Sequence, residues 1–70
     1  MRIAVVGATG LVGQMMRRVL EERNFPVTEL IPVATERSVG KKVKFRGADV
    51  EVVSMETALT MNPQIALFSA

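Results

Sequence analysis

Ile3-Ala4-Val5-Val6-Gly7-Ala8-Thr9-Gly10-Leu11-Val12-Gly13 is the stretch on which the fold turns. Its first four residues are apolar, mostly β-branched and without polar alternation. That is the pattern of a strand buried on both faces of a parallel sheet. Gly7-Ala8-Thr9-Gly10 interrupts it. From there Leu11, Val12, Met15, Met16, Val19 and Leu20 recur at a spacing that keeps one stripe toward a core, so a helix is expected. Gln14, Arg17, Arg18, Glu21 and Glu22 fall on the opposite face. Arg17 and Glu21 lie four apart, as do Arg18 and Glu22, and each pair can meet across a turn. Asn24, followed by Phe25-Pro26, is the expected stop.

Outward from this core, residues 30–34 predict a second strand. Pro32 has no amide to donate, so that strand should lie at an edge or carry a local break. Residues 35–40 form a polar loop. Lys42-Val43-Lys44-Phe45-Arg46 alternates as a half-exposed strand does. Gly47-Ala48-Asp49 reads as a turn and residues 50–53 as a returning strand, making a hairpin. Residues 55–61 predict a short helix with Ser54 as its N-cap, closed by Asn62-Pro63. Ile65-Ala66-Leu67-Phe68 is another buried-looking strand, ending at Ser69-Ala70. The predicted class is α/β: a partial parallel sheet of Rossmann type, with a βαβ unit followed by a β-hairpin, a short helix and a further strand.

Such a sheet needs cover on both faces, and one good helix does not supply it. A 70-residue chain buries only about 60% of the surface its unfolded form exposes. Small folds usually compensate with disulfides or a metal, yet this chain has no cysteine and no histidine. The same two absences remove a thiolate nucleophile, an imidazole base and the common zinc ligands. No pattern activates a serine or a lysine, so no catalytic residue and no metal site are expected. Residues 1–70 are therefore expected to be a piece of a longer protein. A net charge of +2 is too weak to argue for nucleic acid. No secretory signal is visible, and no run reaches the roughly 20 apolar residues that span a bilayer. The default compartment is the cytosol.

Gly7, Gly10 and Gly13 form G-x-x-G-x-x-G where a buried strand turns into a helix. The first backbone N–H groups of a helix lack partners and carry partial positive charge, so a diphosphate can accept from them. Gly7 would permit the tight turn, Gly10 the approach of the phosphate, and Gly13 close packing of helix on strand. Thr9 adds a hydroxyl beside the loop. A merely tight structural turn is the alternative. At the end of the second strand, folds that bind NAD place an acidic residue for the ribose 2′-hydroxyl. Here Thr35, Arg37 and Ser38 instead offer hydroxyls and a guanidinium fork, which suit the 2′-phosphate of NADP. Glu36 would repel that phosphate unless turned to solvent, and an ordinary polar loop is the plainer reading. Lys41, Lys42, Lys44 and Arg46 read as the wet face of the hairpin, with attraction for an anionic cofactor or for nucleic acid as the alternative, the latter without aromatic interleaving to favour it. The five Met residues read as core and helix filler. Ser69, at the carboxyl end of its strand, could approach the cofactor or simply end the strand.

The glycine stretch quoted above resembles the N-terminus of the aspartate-semialdehyde dehydrogenases. The likeness runs on through Val19-Leu20-Glu21-Glu22-Arg23-Asn24-Phe25-Pro26-Val27. It continues through Ala34-Thr35-Glu36-Arg37-Ser38-Val39-Gly40-Lys41-Lys42 and closes at Ile65-Ala66-Leu67-Phe68-Ser69-Ala70. It leaves out only the variable region 47–64. The resemblance implies NADPH-dependent reduction of aspartyl phosphate to aspartate semialdehyde with release of phosphate, in lysine, methionine and threonine synthesis. It implies cofactor phosphates on Thr9, Gly10, Leu11 and Val12, with Arg37 and Ser38 near the 2′-phosphate. Ser69 and Ala70 would start a further cofactor-contacting loop. Family members often carry serine at position 35, and Thr35 keeps the hydroxyl. The family's thioester-forming cysteine, its histidine and its substrate-gripping arginines come from later in the chain. Residues 1–70 are then the N-terminal part of a dinucleotide-binding domain, without the catalytic and dimerisation domain of a homodimeric or homotetrameric parent. A non-catalytic nucleotide-binding module stays open as an alternative. So does another reductase, such as an N-acetylglutamyl-phosphate reductase or an extended short-chain dehydrogenase, although the latter's Tyr-x-x-x-Lys pair cannot lie in a chain without tyrosine.

Overall fold

The computed structural model describes residues 1–68. The elements follow in the order β1 (Arg2–Val6), α1 (Leu11–Glu22), β2 (Glu29–Val33), β3 (Lys42–Phe45), β4 (Ala48–Glu51), α2 (Met55–Thr60) and β5 (Ile65–Phe68). β1 lies between β2 and β5, parallel to both, and β3 pairs with β4 in an antiparallel hairpin. The expected α/β Rossmann-type arrangement is thus present. Alternation along β1 divides the core in two. Ile3 and Val5 pack with Leu20, Leu30 and Phe45 on the α1 side, while Ala4 packs with Ile31, Val33 and Ala58 on the α2 side.

Pro32 shows why β2 takes its place. Its carbonyl accepts from Val53 N–H at 2.8 Å on the outer side of the strand, and Ala34 N–H donates to Val53 O at 3.2 Å. The missing proline amide therefore falls on the outer flank, away from the β1 ladder. Val53 forms a parallel bridge with Val33 there. The returning segment expected over 50–53 thus has two partners: the hairpin ladder ends at Glu51, paired with Lys42, and Val53 runs beside β2.

Several sequence expectations need correction. The hairpin turn is the two-residue Arg46-Gly47, not Gly47-Ala48-Asp49, because Phe45 pairs with Ala48. Both turn residues have positive φ, 52° and 80°, the twist that a tight hairpin requires. The α1 stripe is also rotated from the one expected. Gly13 and Leu20 are buried and Met16 packs against the core, whereas Leu11 and Met15 are 75% and 61% exposed. Only at Gly13 can the helix backbone come close to the β1–α1 turn, and that contact sets which face looks inward. The pairs Arg17–Glu21 and Arg18–Glu22 are not among the ion pairs of the described residues, which are Arg2–Glu29 at 3.1 Å and Lys44–Asp49 at 3.4 Å. Arg17 Nη1 instead donates to Lys44 O at 2.8 Å, and Glu21 accepts from Arg46 N–H. β5 is only half-covered, with Phe68 64% exposed, because α2 lies against β2 and leaves the β5 side of that face open.

The helix ends follow local chemistry. Asn24 is left-handed at φ 50°. Its N–H donates to Glu21 O, and Phe25 N–H donates to Leu20 O. That pair of bonds is the Schellman closure. Ser54 caps α2 by accepting from Thr57 N–H at 3.2 Å, as expected.

Candidate functional site

β1 ends at Val6, and Gly7 turns the chain with φ 85°, a backbone region that costs other residues energy. Gly7 and Ala8 N–H both donate to Val33 O, at 2.8 and 3.2 Å, which ties the turn to the end of β2. Gly10 N–H donates to Gly7 O at 3.1 Å, and the first α1 bond runs from Gln14 N–H to Gly10 O at 3.0 Å. No side chain caps α1, and its first turn holds no acidic residue. Among the described residues, the amides of Leu11, Val12 and Gly13 therefore have no protein acceptor. They stand at the positive end of a 12-residue helix, where an anion is stabilised.

The three glycines are glycine for different reasons. A Cβ on Gly13 would lie 2.2 Å from Gly7 O and 2.7 Å from Ala8 Cα, so packing of helix on turn excludes any side chain. A Cβ on Gly10 would meet only Gly7 O, at an ordinary 3.5 Å. With φ −78°, the protein's own geometry tolerates a side chain at Gly10. Gly10 lines the crevice at the strand ends.

A crevice of about 590 Å³ opens at the carboxyl ends of β1 and β2, a size in the range of small-molecule sites. Val6, Gly7, Thr9, Gly10, Val33, Ala34, Thr35 and Met55 line it. Four sequence-predicted residues, Gly7, Thr9, Gly10 and Thr35, thus share one cavity. Ser38 joins them indirectly: Thr9 Oγ1 donates to Ser38 Oγ at 3.4 Å, a long contact that links the glycine loop to the loop after β2. That loop is folded by bonds from Ser38 and Val39 N–H to Thr35 O. Arg37 and Glu36 are exposed on it, and neither lines the crevice. Ser69 and Ala70 lie outside the described residues. A second cavity, about 660 Å³ between β2 and the hairpin, contains none of the predicted residues.

The basic cluster does not gather at this crevice. Lys44 pairs with Asp49, while Arg46 donates to Val27 O at 3.0 Å and to Phe25 O. It serves the joint between α1 and β2. Val6, Val33, Ala34 and Met55 are the crevice residues that the sequence did not single out as site residues, and of these Met55 comes from another element, α2. Its helical spacing reads as core filler, and only the bridge of Val53 to β2 brings the start of α2 to this place.

A parallel sheet, a glycine turn that lines a crevice at the strand ends, and the unpaired amides of the helix that follows it together define a Rossmann-type nucleotide-binding domain. Comparison with known proteins makes this more specific. The profile of the family described as semialdehyde dehydrogenase, NAD binding domain, matches residues 2–70. The chain is 54% identical over 68 residues to the aspartate-semialdehyde dehydrogenase of Mycolicibacterium smegmatis, covering 97% of this chain and 20% of that protein. It is 47% identical over 70 residues to the Legionella pneumophila enzyme, covering 100% of this chain and 20% of that one. Among solved structures, aspartate semialdehyde dehydrogenase II from Vibrio cholerae, complexed with ASA, superposes with a TM-score of 0.89 at 49% identity, over 99% of this chain and 22% of that one. A probable aspartate-semialdehyde dehydrogenase from Pseudomonas aeruginosa gives 0.91 at 33% identity, over 100% of this chain and 21% of the other. The chain belongs to the semialdehyde dehydrogenase NAD-binding domain family. It spans about a fifth of the length of these relatives, and the family's domain is one for a nucleotide cofactor.

Proposed function

We propose that residues 1–70 form the N-terminal part of the NADP-binding domain of an aspartate-semialdehyde dehydrogenase, a cytosolic enzyme of lysine, methionine and threonine synthesis. The reaction is the NADPH-dependent conversion of aspartyl phosphate to aspartate semialdehyde and phosphate. The observation that carries this reading is the row of unpaired amides at Leu11, Val12 and Gly13, in a chain about half identical to enzymes of that name. The residues present fit a diphosphate. Gly10 leaves the approach open, and no carboxylate stands in the first turn of α1.

When bound, the nicotinamide supplies hydride. The part of this chain is to hold and orient the cofactor's other half. The amides of Leu11 and Val12 donate to the diphosphate, with the Thr9 hydroxyl beside them. Thr35, Arg37 and Ser38 address the ribose and its 2′-phosphate, and exposed Arg37 is free to swing its guanidinium onto that dianion. A thiol and an imidazole for the acyl-transfer steps must come from outside residues 1–70, which contain neither.

Titration of the full-length gene product with NADPH and NADH tests the reading. NADPH should bind more tightly, and Arg37→Ala should weaken NADPH more than NADH. Equal losses for the two cofactors would refute the 2′-phosphate assignment.

A further inference from the structure

Met55 is a large apolar side chain left 41% exposed at the first position of α2. The packing of that helix against the sheet does not use it: Ala58 and Met61 make the contacts with Ala4, Ile31 and Val33. What Met55 lines is the crevice shared by Gly7, Thr9, Gly10 and Thr35, where it is the one lining residue from α2. The other apolar side chains there are less available. Val33 is buried and Val6 half-buried, and both are short and fixed within the sheet.

The crevice is chemically graded. Gly10, the residue just before the unpaired amides of α1, lines one part of it, and Thr35, just past β2, another. Met55 lies two residues after Val53, which bridges Val33 on the flank of β2 away from β1. A nucleotide with its diphosphate on α1 and its ribose toward Thr35 carries its base in the direction of that outer flank. A flat, uncharged purine requires an apolar and polarisable surface there. A thioether supplies one, makes favourable sulfur–aromatic contacts, and adapts its shape through three rotatable bonds.

We propose that Met55 is a specificity-determining residue that packs against the adenine ring of the bound nucleotide. This rests on the nucleotide site proposed above and adds to it the group that recognises the base. The test is calorimetric titration of the full-length gene product and its Met55→Ala and Met55→Leu variants. Two probes are used: adenosine 2′,5′-bisphosphate, which carries the base, and inorganic pyrophosphate, which does not. Met55→Ala should weaken the bisphosphate about tenfold, a change of about 1.4 kcal/mol, and leave pyrophosphate unchanged. Met55→Leu, which keeps the apolar volume, should stay within about threefold of the parent for both. An unchanged bisphosphate affinity in Met55→Ala, or an equal loss for both probes, would overturn the assignment to the base while leaving the nucleotide site standing. Failure of the unsubstituted protein to bind the bisphosphate would overturn the site itself.

Discussion

Alanine at Gly13 and alanine at Gly10 should damage different properties. At Gly13 the new methyl would stand 2.2 Å from Gly7 O and 2.7 Å from Ala8 Cα. Both are backbone atoms that cannot swing aside, so α1 must lift from the turn. Overpacking costs about 1–3 kcal/mol, and a clash with backbone belongs at the upper end of that range. Alanine returns about 1 kcal/mol through its helix propensity, leaving a net loss of about 2 kcal/mol. At Gly10 the methyl meets Gly7 O at 3.5 Å with φ −78°, so nothing clashes. Alanine is a poorer N-cap than glycine by about 0.5–1 kcal/mol, and it recovers about 0.4–1 kcal/mol by restricting the unfolded chain. Stability should therefore hardly change, while the methyl occupies the approach of the diphosphate and weakens NADPH about tenfold or more, about 1.4 kcal/mol. Urea denaturation of both variants, paired with NADPH titration, separates the two effects. A Gly13→Ala protein as stable as its parent, or a Gly10→Ala protein with undiminished NADPH affinity, would refute the division of roles.

Two further outcomes follow from named contacts. Thr9→Ala and Ser38→Ala should be non-additive for NADPH binding, with a coupling of about 0.5 kcal/mol through their hydroxyl contact; strict additivity in the double-mutant cycle would show that the two loops act separately. Arg46→Ala should cost about 1 kcal/mol of stability, the scale of an exposed hydrogen-bonded clamp on Val27 O and Phe25 O. The same variant should leave NADPH affinity unchanged, and a clear loss of affinity would return the basic cluster to the cofactor site.

The sheet was legible because its strands announce themselves locally. Ile3 to Val6 is continuously apolar, Pro32 restricts β2 to an edge, and Ser54 and Asn24 mark helix ends through their own hydrogen bonds. The glycine loop was legible because its spacing coincides with a strand-to-helix change. What escaped depends on contacts between distant segments. The rotation of α1 is decided by the fit of Gly13 on Gly7 and Ala8, which periodicity does not report. The turn at Arg46-Gly47 depends on register, and an arginine with positive φ is held there by its bonds to Val27 and Phe25. Met55 reaches the crevice only because Val53 leaves the hairpin for β2. β5 reads as buried from composition alone, yet Ala66 and Phe68 are exposed, because the position of α2 and not the strand's apolarity decides its cover.

The most direct measurement is a crystal structure of the full-length gene product with NADPH bound, read at one place. Oxygens of the diphosphate should lie about 2.7–3.2 Å from the amide nitrogens of Leu11 and Val12, the range of an N–H···O bond. A diphosphate seated elsewhere, or those amides found bonded to the protein's own acceptors, would contradict the account.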